Sequence, residues 1–238
     1  VTVKEEESLI IIPAFNEAGK IGRVIEGIRK HLPESHILVI DDGSGDGTGK
    51  KALEAGAFVL SHPFNLGYGS ALQTGYKYAV MQHYSEVVQI DGDGQHDPSC
   101  IPDLLDPVKK GVCDIVIGSR FLAGNKGLPY KAPFSRKVGI GLFRVIVTFL
   151  TGQHISDPTS GYQAMNRKVF TWFSGDRFPV DYPDADVIIM LCRAGFRLRE
   201  IPVRMFESTD NKSMHSGLKP LYYVFKMLLS IFVTLMRK

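Results

Sequence analysis

Short apolar runs alternate with longer amphipathic segments through the first half of the chain. Leu9–Ile12, Ile37–Ile40, Phe58–Leu60, Val87–Ile90 and Ile115–Ile117 are rich in β-branched residues and have the length of buried strands. Between them apolar residues recur with helical spacing, as in Ile21, Val24, Ile25 and Ile28, which stand at i, i+3, i+4 and i+7. Thr48–Ala55, Gly69–Met81 and Ile101–Lys110 read as further helices. This alternation predicts an α/β fold, a mostly parallel sheet with helices on both faces. The second half is less regular. Gly124–Pro133 and Ser208–Gly217 read as polar loops, and Phe196–Met205 as a strand. Ser135–Leu150, Pro183–Ala194 and Leu218–Met236 read as helices.

Composition narrows the class. The 238 residues are 44% apolar and 22% charged, which suits one globular domain with its own core and excludes disorder. Cys100, Cys113 and Cys192 have no C-x-x-C spacing, so free thiols in a reducing compartment are expected rather than a disulfide framework. Lys+Arg total 28 against 25 Asp+Glu, a net charge of +3 that gives no reason to expect nucleic acid as a partner. Val1–Ser8 is acidic and polar, so no signal peptide is expected. The longest apolar stretches, Val138–Leu150 and Leu221–Met236, are interrupted by Arg144 and Lys226. Each falls short of the roughly 20 residues of a spanning helix, so neither is expected to cross a membrane; lying on its surface is the expectation, and packing on the core or in a dimer the alternative.

In parallel sheets, ligands bind beyond the carboxyl ends of the strands, so the chemistry is sought there. After the first strand comes Pro13-Ala14-Phe15-Asn16-Glu17, which is not the glycine-rich dinucleotide fingerprint. A redox enzyme is therefore not expected, and a nucleotidyltransferase would need a basic, Gly-rich loop here. After the second strand comes Asp41-Asp42-Gly43-Ser44-Gly45-Asp46-Gly47-Thr48, either a ribose- or base-binding carboxylate loop or a turn with Asp46 capping a helix. After the third, Asn65-Leu66-Gly67-Tyr68-Gly69 permits close backbone approach to a nucleotide, or tight helix–sheet packing. After the fourth, Asp91-Gly92-Asp93-Gly94-Gln95-His96-Asp97 places two carboxylates at i and i+2 beside an amide, an oxygen-rich set suited to Mg²⁺ or Mn²⁺. A calcium loop fails on spacing: started at Asp91 it would put His96 where glycine is needed and Pro102 where glutamate is needed.

These strand-end motifs, in order, resemble family 2 glycosyltransferases of the GT-A fold. Gly118-Ser119-Arg120-Phe121 and Asp157-Pro158-Thr159-Ser160-Gly161-Tyr162 are similar to the dolichyl-phosphate mannose synthase and polyprenyl-phosphate glycosyltransferase branch. The resemblance covers roughly residues 8 to 217. It implies one GT-A domain over 1–217, with a nucleotide-binding half near 8–120, an acceptor half near 121–217, and an apolar helix over 218–238. It implies that Pro13, Phe15, Glu17, Asp42, Asp91 and Gly67 serve the nucleotide sugar, and that Asp91, Asp93 and Gln95 hold the metal. Arg120 would stand near donor or acceptor phosphates, and Asp157 would frame the sugar. The branch has Arg-x-x-Gly-x-Ser after the last strand, where this chain has Ser208-Thr209-Asp210-Asn211-Lys212-Ser213. Arg204, Lys212 and His215 are the candidate phosphate-binding substitutes.

The implied reaction is metal-dependent, inverting sugar transfer from a GDP- or UDP-sugar to a polyprenyl phosphate, on the cytoplasmic side of a membrane as a peripheral protein. A separate membrane-anchor protein or a homodimer would be compatible partners. If the acceptor were instead a saccharide hydroxyl, a carboxylate base would be required. Asp181-Tyr182-Pro183-Asp184-Ala185-Asp186 is its obvious source, with Asp186 the candidate and helix capping the alternative. A nucleotide-binding regulatory subunit without turnover would have no use for the intact Asp91, Asp93 and Gln95 set.

Overall fold

The computed structural model describes residues 7–122, 134–179, 183–206 and 219–236. Four strands, β1 (Ser8–Ala14), β2 (His36–Asp41), β3 (Phe58–Ser61) and β4 (Glu86–Gln89), alternate with helices α1 (Ile21–His31), α2 (Thr48–Glu54) and α3 (Tyr68–Met81). A 3₁₀ turn at Pro98–Cys100 leads into α4 (Ile101–Lys109) and β5 (Ile115–Ser119). Then follow α5 (Phe134–Thr151), β6 (Gln163–Asn166), α6 (Arg167–Phe173), α7 (Ala185–Arg193), β7 (Leu198–Pro202) and α8 (Lys219–Met236).

The seven strands form one sheet in the order β3-β2-β1-β4-β6-β5-β7. All pairs are parallel except those of β6, which runs antiparallel to both β4 and β5. The expected mostly parallel α/β sheet is therefore present, with one reversed strand inside it. The periodicity does not reveal β6 or α6. Gln-Ala-Met-Asn is too short and too polar to read as a strand, although Ala164 and Met165 are fully buried.

Alternation along β1 builds the two cores. Ile10 and Ile12 face α1, α2 and α4, while Leu9 and Ile11 face α3, α6 and α7. All four side chains are 0% exposed, each contributing about 1.5–3 kcal/mol by leaving water. A third apolar cluster joins Ile117 to α5, α7 and α8 through Phe143, Val147, Ile188, Ile189, Met227 and Ile231. The opposite faces of α5 and α8 stay in solvent: Val138, Val145, Phe149, Tyr222, Phe225 and Phe232 are all more than half exposed. Among the described residues no helix is long and apolar enough to cross a membrane.

Candidate active site

The carboxyl ends of β1, β2, β4 and β5 share one edge of the sheet, because these strands run in the same direction. Reversed β6 starts at that edge, with Gln163 opposite both Gln89 and Ile117. The loop leading into β6 thus joins the loops that leave the parallel strands, and residues 157–162 reach the site for this reason.

The loops after β1 and β2 are laced together. Asn16 N donates to Ser44 Oγ (2.9 Å), Glu17 N to Thr48 Oγ1 (2.8 Å) and Ala18 N to Asp46 Oδ2 (3.0 Å). Asp46 also accepts the Thr48 N–H at 3.0 Å, from the residue before the Gly47 N-cap, which has no side chain of its own to cap α2. Pro13 is buried at the base of this pair of loops, Phe15 projects with 47% exposure, and Glu17 pairs with Lys20 at 2.9 Å.

Asp42, expected at the base of the nucleotide, is 3% exposed. Its Oδ1 accepts Leu66 N and lies 2.6 Å from His62 Nδ1; its Oδ2 accepts Gly67 N at 2.9 Å. A carboxylate engaged on both oxygens acts here as the anchor of the loop before α3. Gly67, expected to approach the nucleotide, supplies one of the anchored N–H groups. Gly43, at φ 73°, has no room for a side chain: a Cβ would sit 2.5 Å from the Phe64 carbonyl carbon.

Asp91 and Asp93 follow β4, as the i, i+2 spacing requires. Asp91 Oδ1 accepts the Tyr68 hydroxyl (2.8 Å), and Asp91 N donates to His96 Nδ1 (3.2 Å). His96 is buried and stacked on Tyr162 at 4.7 Å between ring centroids. Gln95 donates to Asp93 with its main-chain N–H (2.9 Å) and its side-chain amide. Burial, then the charge of Asp91, pushes the Asp93 carboxyl above the ordinary range. Two carboxylates and an amide form a hard oxygen-donor set, and their crowded negative charge is what a divalent cation would neutralise. Among the described residues no three His, Cys, Asp or Glu side chains converge on one point. Asp91, Asp93 and Gln95 are the residues that could contribute ligands to such a cation.

Arg120 and Asp157, read separately in the sequence, form one buried unit. Arg120 Nε and Nη2 each donate to an Asp157 oxygen at 2.6 Å, and Nη2 also donates to Thr159 Oγ1 (2.8 Å). Glu200 on β7 supports the loop from behind, accepting Ser156 N (2.7 Å) and Asp157 N (2.9 Å). Arg120 is 5% exposed. Its Nε and Nη2 order the 157–159 loop. Arg144, expected at an interface, turns inward: Nη2 donates to Ser156 O at 2.6 Å.

Arg204 lies beside this region, 3.8 Å from Asp97, in a segment that bridges to His96 through Met205 and donates Phe206 N to Gln95 O. Lys212, His215 and Asp181 lie outside the described residues. Asp186, the candidate base, is fully buried in the first turn of α7. Its Oδ1 accepts Asp184 N (3.0 Å) and Val187 N (2.8 Å), and Oδ2 accepts the Ser230 hydroxyl of α8. Asp184 is less buried than Asp186. It accepts the Tyr223 hydroxyl and feels the charges of Arg120 and Asp91, and burial, reinforced by Asp186, pushes it up to about 7. Tyr68 and Gly161 lie within the motifs but had no role of their own there, and Gln89 and Glu200 lie outside every motif; all four border this region. Gln89 carried a signal: it is the one strongly polar residue in the run Val87–Ile90.

Known proteins resemble this chain. The chain is 32% identical over 222 residues to a polyprenol monophosphomannose synthase of Mycolicibacterium smegmatis, covering 89% of this chain and 82% of that one. It is 31% identical over 216 residues to an undecaprenyl-phosphate mannosyltransferase of Micrococcus luteus, covering 88% and 87%. Its fold matches glucosyl-3-phosphoglycerate synthase from Mycobacterium tuberculosis, solved with Mn²⁺, UDP and glucosyl-3-phosphoglycerate. The TM-score is 0.69 at 22% identity, over 97% of this chain and 78% of that one. This is the GT-A architecture expected from the strand-end motifs. The family described as glycosyl transferase family 2 matches residues 9–172, from β1 through α6, and the chain belongs to that family of glycosyltransferases.

Proposed function

We propose that this protein transfers a hexosyl group from a GDP- or UDP-linked sugar to a polyprenyl phosphate, with inversion at the anomeric carbon. An acceptor phosphate oxygen attacks C1. The bond from C1 to the nucleotide diphosphate breaks, and its electron pair leaves with the diphosphate. A phosphate acceptor is already anionic at pH 7, so positioning and charge stabilisation matter more than a strong base. Mg²⁺ or Mn²⁺ held by Asp91, Asp93 and Gln95 would act as a Lewis acid on the leaving diphosphate. Pro13, Phe15 and Glu17 would border the donor, and Arg204, half-exposed beside Asp97, would face the phosphates.

The observation that carries a lipid-linked acceptor is where the exposed apolar surface sits. The solvent faces of α5 and α8 form an apolar platform, and α8 touches the site directly through Tyr223 and Asp184. A bilayer surface is the occupant proposed for this platform, with Tyr222 and Lys226 suited to its interface. The relatives named for polyprenol and undecaprenyl-phosphate mannosylation support the same acceptor. A hydroxyl acceptor is the second reading, favoured only by the raised Asp184.

The test is nucleotide release from a panel of nucleotide sugars with Mn²⁺, with and without a short polyprenyl phosphate. Release that requires both the lipid phosphate and Mn²⁺, and is lost in Asp93→Ala, is expected. Release without metal, or dependent on a saccharide acceptor instead, would overturn the proposal.

A further inference from the structure

We infer that Tyr68 is a positioning residue for the donor site: a buried chain, Tyr76–Gln89–Tyr68, sets the rotation of the Asp91 carboxylate, and residue 161 is glycine because that assembly leaves no room for a side chain. The inference rests on the metal and donor reading given above.

The chain has one possible direction. A carboxylate at Asp91 only accepts, so the Tyr68 hydroxyl must donate to Oδ1, at 2.8 Å. The Tyr68 oxygen can then only accept from Gln89, whose Nε2 stands 3.0 Å away. That turns the Gln89 carbonyl to Tyr76, whose hydroxyl donates to it at 2.5 Å. Every donor therefore points toward Asp91, and each bond polarises the next.

The chain is also rigid. Tyr76 is 1% exposed and Gln89 3%. Gln89 is fixed in register between Ile11 of β1 and Gln163 of β6. Tyr68 opens α3 directly after Gly67, whose N–H is bound by Asp42. The fourth wall is Gly161, from the loop before β6. A Cβ there would lie 2.8 Å from the Tyr68 oxygen and 3.3 and 3.4 Å from the two Asp91 oxygens. Three segments distant in sequence thus close on one hydrogen bond, and groups that orient a metal-site carboxylate typically matter about 10- to 100-fold to metal affinity.

The test is Mn²⁺ affinity of the full chain in the presence of UDP or GDP, read from the EPR signal of free Mn²⁺. Tyr68→Phe keeps the ring and loses only the hydroxyl; it should weaken Mn²⁺ binding about 10-fold or more with an unchanged near-UV CD spectrum. Gly161→Ala removes no hydrogen-bonding group and should weaken it comparably, so it carries the test if Tyr68→Phe does not fold. In the Tyr68→Phe background the extra methyl has space, and Gly161→Ala should add little. Mn²⁺ affinity in folded Tyr68→Phe within about twofold of wild type would overturn the inference alone. A wild-type chain that binds no Mn²⁺ would overturn both the inference and the metal reading beneath it.

Discussion

Arg120 and Asp157 face each other in a planar, two-pronged ion pair, with Nε to Oδ2 and Nη2 to Oδ1 both at 2.6 Å. The two side chains are 2% and 0% exposed, and the Arg120 main-chain N–H adds a third bond to Asp157 at 3.1 Å. The pair joins the end of β5 to the loop before β6, and Glu200 holds that loop from its other side.

Breaking this pair should cost more than losing a surface salt bridge, because the surviving charge stays buried. Asp157→Asn and Arg120→Gln should each lower unfolding free energy by about 3 kcal/mol. The double variant should lose clearly less than the sum. Urea unfolding of the four proteins measures this. Additive losses would mean that the two side chains act independently.

Asp42 gives a more local prediction. Its carboxylate serves Leu66 N, Gly67 N and His62 at once. Asn offers one acceptor oxygen and turns an N–H₂ toward groups that donate. Asp42→Asn should destabilise by about 2 kcal/mol and speed amide exchange at Leu66 and Gly67. Unchanged exchange at those two amides would remove Asp42 as the loop anchor.

Asp184 predicts a pH dependence of stability. Its carboxyl ordinarily titrates at 3.8 and in the fold is pushed up to about 7, chiefly by burial. Between those values the folded chain keeps a proton that the unfolded chain has released. Stability should therefore fall as pH rises through this window, by up to about 1.4 kcal/mol per unit, and level off above it. Asp184→Asn still accepts from Tyr223 and has no such titration. It should exceed wild type in thermal stability at the alkaline end of a pH series, with the difference shrinking toward pH 3.8. A constant difference at every pH would contradict the assignment.

The apolar platform yields a binding prediction. Phe149 and Phe232 are 87% and 59% exposed. Replacing both with Ser should leave the melting temperature nearly unchanged, since neither packs in the core. Partitioning onto anionic vesicles should drop about tenfold or more, from the loss of two inserting aromatics. Flotation with vesicles measures it. Equal flotation of variant and wild type would point to a protein partner, such as a second copy or an anchor protein, as the occupant.

The sequence by itself determined the elements whose signal is local. Buried parallel strands must be continuous apolar runs, so Leu9–Ile12 and Ile37–Ile40 could be read directly, as could the 3.6-residue periodicity of α1. The i, i+2 spacing of Asp91 and Asp93 at a strand end likewise marked the candidate metal site. Tertiary structure alone decided what depended on topology. Four residues of β6 carry too little pattern to announce a strand, yet their reversed direction brings Asp157 to Arg120 and Gly161 to Asp91. Whether a carboxylate faces a ligand or the protein depends on what packs around it. The sequence does not show what packs around Asp42, Asp184 and Asp186; in the fold, backbone donors, Tyr223 and Ser230 give each a separate task.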